Sequence, residues 1–430
     1  MANTSVSTLL VILFWGLTLA TGRKLSPLST TTTLSSSPSD GICLSMVMPQ
    51  GKTCEEHLVT TQDGYILNLA RIRIRESRGP PVLLQHGLFM VTKLINSFMS
   101  NYMSWILSVM LAINVMLWLQ DGITWLLLPS NQSLAFLLVD NGFDVWVANT
   151  RGTKFSRQHT SLPSNSSDYW NWSWDELVAH DLPATFKYVH DLTGQKMHYV
   201  GHSQGTLIAL AALSQDQLLN MLRSAALLSP IAYVGQLTSP LAKNAAENFI
   251  AESLYNLGIF EFNMRGDSVI KFLKDLCNNT GIDCTNLLTS FTGQNCCLNP
   301  SIVNVFLDHE PQSTATKNMI HLSQMIREGT TSMFDYENRD ENMKHYGQPT
   351  PPVYDMTRLP NDLPIFLSYG GADALSDVKD VQRLLEILKD HDADKLVVQY
   401  RNDYAHADYV MGENAHRDVY EPLISFFRLQ

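Results

Sequence analysis

Charge is scarce: only 17% of the 430 residues are Asp, Glu, Lys or Arg, and 30 basic residues face 41 acidic ones. A net charge of −11 without a clustered basic face excludes the phosphate-neutralising surface that nucleic-acid binding requires. The signatures of several cofactor chemistries are missing too. There is no H-E-x-x-H for zinc and no G-x-G-x-x-G for a dinucleotide. The triplet Gly51-Lys52-Thr53 lacks the leading glycine of a phosphate loop, Met46 standing in its place. No metal and no cofactor are therefore expected. Cysteine is sparse as well, six in all, and none has the paired spacing of a zinc site.

What is present is a core. An apolar fraction of 45% rules out a disordered or fibrous chain. At the start, an apolar stretch from Leu9 to Ala20 ends in the small triplet Ala20-Thr21-Gly22, the pattern of a signal peptide over residues 1–22. Residues 23–40 are nearly all Ser, Thr, Pro and Leu and bury too little to fold alone, so a flexible segment is expected there. Sequons at Asn131, Asn165, Asn171 and Asn278 fit the secretory pathway. In such an oxidising compartment Cys43 and Cys54 suit a short-loop disulfide. One further bridge is expected among Cys277, Cys284, Cys296 and Cys297, free buried thiols being the alternative.

From His57 a hairpin is expected, with its turn at Gln62-Asp63-Gly64. Short apolar runs then alternate with helical stretches: 81–84, 143–148, 197–200, 225–228, 365–369 and 396–400. That alternation predicts βαβ units and a mostly parallel sheet, with the core formed by residues 41–230 and 361–430. The interval 231–360 breaks the rhythm, being far longer than a strand connection and carrying its own apolar helical pieces, and is expected to be an inserted cap.

Gly201-His202-Ser203-Gln204-Gly205 follows the strand candidate KMHYV and opens the helix-prone TLIALAALSQ. This is the strand–turn–helix setting of a nucleophilic serine, with glycines where side chains would collide. A serine hydroxyl needs a base held by a carboxylate, and in this setting the order is Ser, acid, His. Asp373 ends the strand candidate IFLSY through Gly370-Gly371-Ala372, whereas Asp377 and Asp380 lie in a helix-like stretch that they would cap or solvate. Of the histidines that follow, His391 precedes the last strand and His416 lies near the closing helix. His406, six residues past Tyr400, sits in the loop where the last strand exits. Ser203, Asp373 and His406 are thus the expected catalytic residues. The backbone N–H of Gln204 and of Leu88, in the loop after PVLLQHG, are the expected oxyanion donors.

Six segments in this order resemble the acid lipases, the family of gastric and lysosomal acid lipase, and look most like its plant triacylglycerol lipase branch. They are LLQHGL at Leu83–Leu88, NQSLAFLLVDNGFDVWVANTRGTKFSR at Asn131–Arg157, YWNWSWDELVAHDLPA at Tyr169–Ala184, GHSQGT at Gly201–Thr206, YGGADAL at Tyr369–Leu375 and YAHADYV at Tyr404–Val410. The resemblance implies an α/β-hydrolase fold with a mainly helical cap carrying a lid. It also implies the triad Ser203, Asp373 and His406, the donors Leu88 and Gln204, and hydrolysis of triacylglycerols or sterol esters at a lipid–water interface. An esterase of small soluble esters, a serine peptidase and a non-catalytic binding protein on the same fold are the rivals. The apolar cap opposes the first two and the intact triad the third.

The chain departs from that family at one place. Met90 is separated from Asp121-Gly122-Ile123-Thr124-Trp125 by thirty extra residues, Val91–Gln120, uncharged from Ile95 onward. The apolar run could span a bilayer, but one crossing would put Leu88 and Ser203 on opposite sides and the sheet could not form. The segment reads instead as a retained intron translated in frame: thirty codons keep the frame, Val-Thr can be read from a GTAA splice donor, and the terminal Gln can be CAG. A hairpin dipping into a lipid surface is the second reading.

Overall fold

The computed structural model describes residues 41–74, 79–88, 120–263, 288–289, 291–310 and 312–430. The expected signal and flexible segments, the insert apart from Gln120, Asn278, Cys277 and Cys284 lie outside the described residues.

The hairpin predicted around Asp63 forms. Strands β1 (Thr53–Thr60) and β2 (Tyr65–Arg73) pair antiparallel, and Thr61 and Tyr65 exchange hydrogen bonds across the turn. The apolar runs become β3 (Pro81–Gln85), β4 (Asp144–Ala148), β6 (Met197–His202), β7 (Leu222–Leu228), β10 (Ile365–Gly370) and β11 (Leu396–Arg401); the two-residue β5 (Gln158–His159) pairs with β2. Sheet order is β1-β2-β4-β3-β6-β7-β10-β11, parallel from β4 onward. Every residue of β3, β4, β6 and β10 is buried, as expected of parallel strands covered on both faces. Covering helices include α1 (Leu134–Asp140), α2 (Leu182–Thr193) and α3 (Gln204–Ser214), the last buried along its whole length.

The register fixes where the loops meet. Gln85 pairs with Gly201, Gly201 with Leu227 and Leu227 with Leu367, so β3, β6, β7 and β10 end level and deliver their exits to one edge. Ligands of parallel α/β sheets bind at that edge.

The interval between β7 and β10 is mainly helical among the described residues. It holds α4 (Pro240–Glu247), α5 (Ile250–Asn256), α6 (Pro300–His309), α7 (Thr316–Glu328) and α8 (Arg339–Tyr346), with a small antiparallel pair of β8 (Glu261–Phe262) and β9 (Thr314–Ala315). Helices α9 (Val378–Ile387) and α10 (Glu421–Leu429) complete the chain. Cys43 is bonded to Cys54, the predicted short loop. Cys296 is bonded to its neighbour Cys297, which supplies a second bridge from the later four. No helix among the described residues is long and apolar enough to cross a membrane.

Candidate active site

Ser203 sits where β6 ends and α3 begins, with φ 55° and ψ −122°. Non-glycine residues avoid that region unless their surroundings hold them there, and such strain concentrates at functional sites. The surroundings are glycines in contact with backbone. A Cβ on Gly205 would lie 2.6 Å from the Gln85 carbonyl oxygen, and one on Gly87 would lie 2.4 Å from the Cβ of Ser203. The exit of β3 therefore passes directly against the serine, which only Gly87 permits. Behind the turn, Thr206 Oγ1 donates to the Ser203 carbonyl at 2.6 Å and accepts from Ile231 N–H at 2.7 Å.

Asp373 and His406 are brought together at the exits of β10 and β11. The His406 Nδ1–H donates to Asp373 Oδ2 at 2.9 Å, with Oδ1 at 3.1 Å, and neither side chain is exposed. Asp373 Oδ1 also accepts from the backbone N–H of Leu375 and Ser376 at 2.9 and 2.8 Å. The other candidates go elsewhere. Asp377 caps α9, Asp380 accepts from Gln236 N–H, His391 bonds the Leu363 carbonyl, and His416 bonds the Glu413 carbonyl.

His406 meets the serine turn through a residue that the sequence motif does not single out. His202 Nε2–H donates to the His406 carbonyl at 3.0 Å, and the two rings lie 4.9 Å apart. Burial, with His406 alongside, keeps the His202 imidazole well below its ordinary range, so it is neutral.

Leu88 and Gln204 line one cavity with Ser203. The loop carrying Leu88 is pinned by His86, whose Nδ1–H donates to the Gly87 carbonyl at 2.9 Å while Nε2 accepts from Thr150 N–H at 3.1 Å. That bonding requires a neutral ring, and burial pushes the imidazole down to about 4. Gly87 N–H donates to Oε1 of Gln120, the described end of the apolar insert, at 3.2 Å. The Gln204 side chain is engaged by Asn318 of α7, Nε2 donating to Oδ1 at 3.1 Å. Besides Ser203 and Gln204, the described residues lining the cavity are apolar, including Ile231, Val234, Phe291, Leu322 and Ile326. Leu322 and Ile326 stand one turn apart on α7, so one helical face forms a wall.

The residues missed from sequence are those acting through backbone or across long separations: His202, Asn318 and Thr292, whose carbonyl accepts from His406 N–H at 3.2 Å. His202 and His86, beside Ser203 and Leu88, carried a signal, since both lie inside motif segments. Thr292 carried none.

Residues 80–404 match the model of the alpha/beta hydrolase fold, and residues 44–96 that of a partial alpha/beta-hydrolase lipase region. Among curated proteins, the chain is 47% identical to triacylglycerol lipase 2 of Arabidopsis thaliana, over 91% of this chain and 88% of that one. It is 38% identical to triacylglycerol lipase 1 of the same plant, over 92% of each. To gastric triacylglycerol lipase of Rattus norvegicus it is 33% identical, over 88% of this chain and 90% of the relative.

Proposed function

Because the chain belongs to the acid lipase family of α/β-hydrolases, we propose that it is a serine lipase hydrolysing the carboxylic esters of triacylglycerols or sterol esters. The observation that carries this reading is the buried Asp373–His406 pair, linked through His202 to the turn of a serine strained to φ 55°. In the proposed mechanism Ser203 Oγ attacks the ester carbonyl while His406 Nε2 takes its proton, and Asp373 holds the ring and stabilises the imidazolium. The N–H groups of Leu88 and Gln204 donate to the oxyanion as it forms. The tetrahedral intermediate expels the alcohol, which leaves with the proton from His406. Water, deprotonated by the same ring, then releases the acyl group from Ser203.

The cavity supports a long acyl chain over a small soluble ester, because its described lining beyond Ser203 and Gln204 is apolar. In this reading the interval 231–360 is the cap, and contact with a lipid surface opens it. The secretory pathway is the proposed compartment. The Cys43–Cys54 bridge and the exposed positions of Asn131, Asn165 and Asn171 support it.

Ser203→Ala tests the assignment. It removes one oxygen atom, so ester hydrolysis should vanish while the fold, read by circular dichroism, stays. Activity near the parent level would sink the nucleophile. Emulsified long-chain triacylglycerol should be cleaved faster than dissolved short-chain ester, and the reverse order would favour an esterase.

A further inference from the structure

The carbonyl of Thr292, in the interval between β7 and β10, accepts two backbone N–H groups: that of Ala374 at 3.1 Å and that of His406 at 3.2 Å. Ala374 follows Asp373 directly. One carbonyl from outside the core thus carries both the acid loop and the histidine loop. Thr292 is itself fully buried and tied down, its Oγ1 donating to the Leu288 carbonyl and accepting from Asn295 Nδ2, each at 2.8 Å.

The next residues continue the contact. Gly293 forms an antiparallel bridge with Asp373, at φ +99° and so close that a Cβ would lie 1.9 Å from the Ala372 carbonyl oxygen. Cys296 and Cys297 donate their N–H groups to Asp408 at 3.2 and 3.1 Å, and Asp408 also accepts from Ala405 N–H at 2.8 Å, next to His406. Glu413 N–H donates to the Cys297 carbonyl at 2.9 Å. On the other side Phe291 lines the cavity that Ser203 opens into, one peptide from the Thr292 carbonyl.

We propose that Phe291–Leu298 is a strap that sets the distance between Asp373 and His406, with Gly293 and Asp408 as its positioning residues. The proposal rests on the reading of Asp373 and His406 as acid and base. The two loops leave different strands and are 33 residues apart, so their meeting must be specified by something that touches both. The Thr292 carbonyl does, and its geometry depends on a residue at position 293 that has no Cβ. Because Phe291 is in the cavity wall, the strap also joins the place where an acyl chain would sit to the pair that moves the proton.

The test uses the full chain with Gly293→Ala and, separately, Asp408→Asn. Asp408→Asn keeps side-chain size but leaves one acceptor oxygen for three N–H donors. A misplaced base costs rate rather than binding, so kcat should fall about 10- to 100-fold with KM nearly unchanged. Purely structural damage would lower the folded fraction while leaving kcat per folded molecule at the parent value. If Gly293→Ala does not fold, Asp408→Asn carries the test. Folded variants with the parent's kcat would overturn the strap. Ser203→Ala, run beside them, separates the failures: if it is inactive while the strap variants behave as the parent, the strap alone is wrong. If it stays active, the underlying reading is wrong.

Discussion

Asp373 and His406, 33 residues apart in sequence, meet through a 2.9 Å contact between two side chains with no solvent exposure. Asp373→Asn leaves an oxygen to accept from Leu375 and Ser376, so the loop should persist. The amide nitrogen, however, cannot accept the His406 Nδ1–H if the oxygen is so used, and the ring takes the wrong tautomer. Loss of an orienting carboxylate in this role lowers kcat about 10⁴-fold. Ester hydrolysis under substrate saturation checks it, and a fall below about tenfold would remove Asp373 from the mechanism.

Gly87→Ala should be nearly as damaging without touching any reacting group. The new methyl would stand 2.4 Å from the Ser203 Cβ and 2.8 Å from the His202 carbonyl, and neither can yield without moving the serine turn. The loop bearing Leu88 must then withdraw. Losing one oxyanion donor costs on the order of 10²–10³ in rate. The measurement is kcat beside the rate of phosphonate attack on Ser203. Parent values for both would mean that the loop after β3 does not serve the oxyanion.

How legible all this was depended on whether a residue acts through its side chain in a local pattern. The placement of Ser203 at a strand–helix turn was readable from the glycines within two residues of it, and that of Asp373 and His406 at strand exits because strands end where their apolar runs end. β3, β4, β6, β7, β10 and β11 followed from the same runs, whereas the two-residue β5, β8 and β9 did not. The Thr292 carbonyl was not readable, since any residue has a carbonyl and its partners lie 82 and 114 positions onward. Nor was Asn318, whose bond to Gln204 depends on how α7 packs over the serine turn. Arg151 lies between these cases. It is inside a segment shared with the acid lipases, yet only the folded chain brings its guanidinium to Asp63 and Asp181, fully buried and 3.8 Å over the Tyr65 ring.

Asp175 makes stability depend on pH. Its carboxylate accepts from Phe334 N–H at 2.8 Å and Tyr354 O–H at 2.7 Å, yet burial outweighs these and pushes it up to about 7 from an ordinary 3.8. A folded-state value above the unfolded one means that the folded chain binds a proton the unfolded chain releases between those two values. The contribution is therefore full at the acid end and is lost as pH rises through 7. Buried His86, His198 and His321, pushed down to about 4, 3 and 3, act oppositely below their ordinary 6.5, in parent and variant alike. Asp175→Asn should therefore gain stability relative to the parent as pH is raised from about 4 to 8, read as the difference in Tm. A difference that stays flat across that range would place the proton elsewhere.

The apolar insert gives the last prediction. On its near side Gly87 N–H reaches Gln120 Oε1 at 3.2 Å, and beyond it Asp121 N–H donates to Glu310 Oε1 at 2.9 Å and Gly122 N–H to Asn149 Oδ1 at 3.0 Å. The described residues on either side of the insert, Gly87 and Gln120, thus meet directly, beside Leu88. A core closed across that point can be joined without the insert. Thirty residues whose one charge is Lys93 are a sequence that favours association over a soluble state. Deleting Val91–Gln120, to join Met90 to Asp121, should raise both soluble yield and specific activity. A second deletion, Val91–Leu119, keeps the Gln120 bond to Gly87. It should differ from the first by no more than one neutral hydrogen bond, about 1 kcal/mol. The full chain and both deletions are expressed side by side. If the full chain is as soluble and as active as either deletion, the retained-intron reading fails, and the segment belongs to the enzyme as a hairpin that meets lipid.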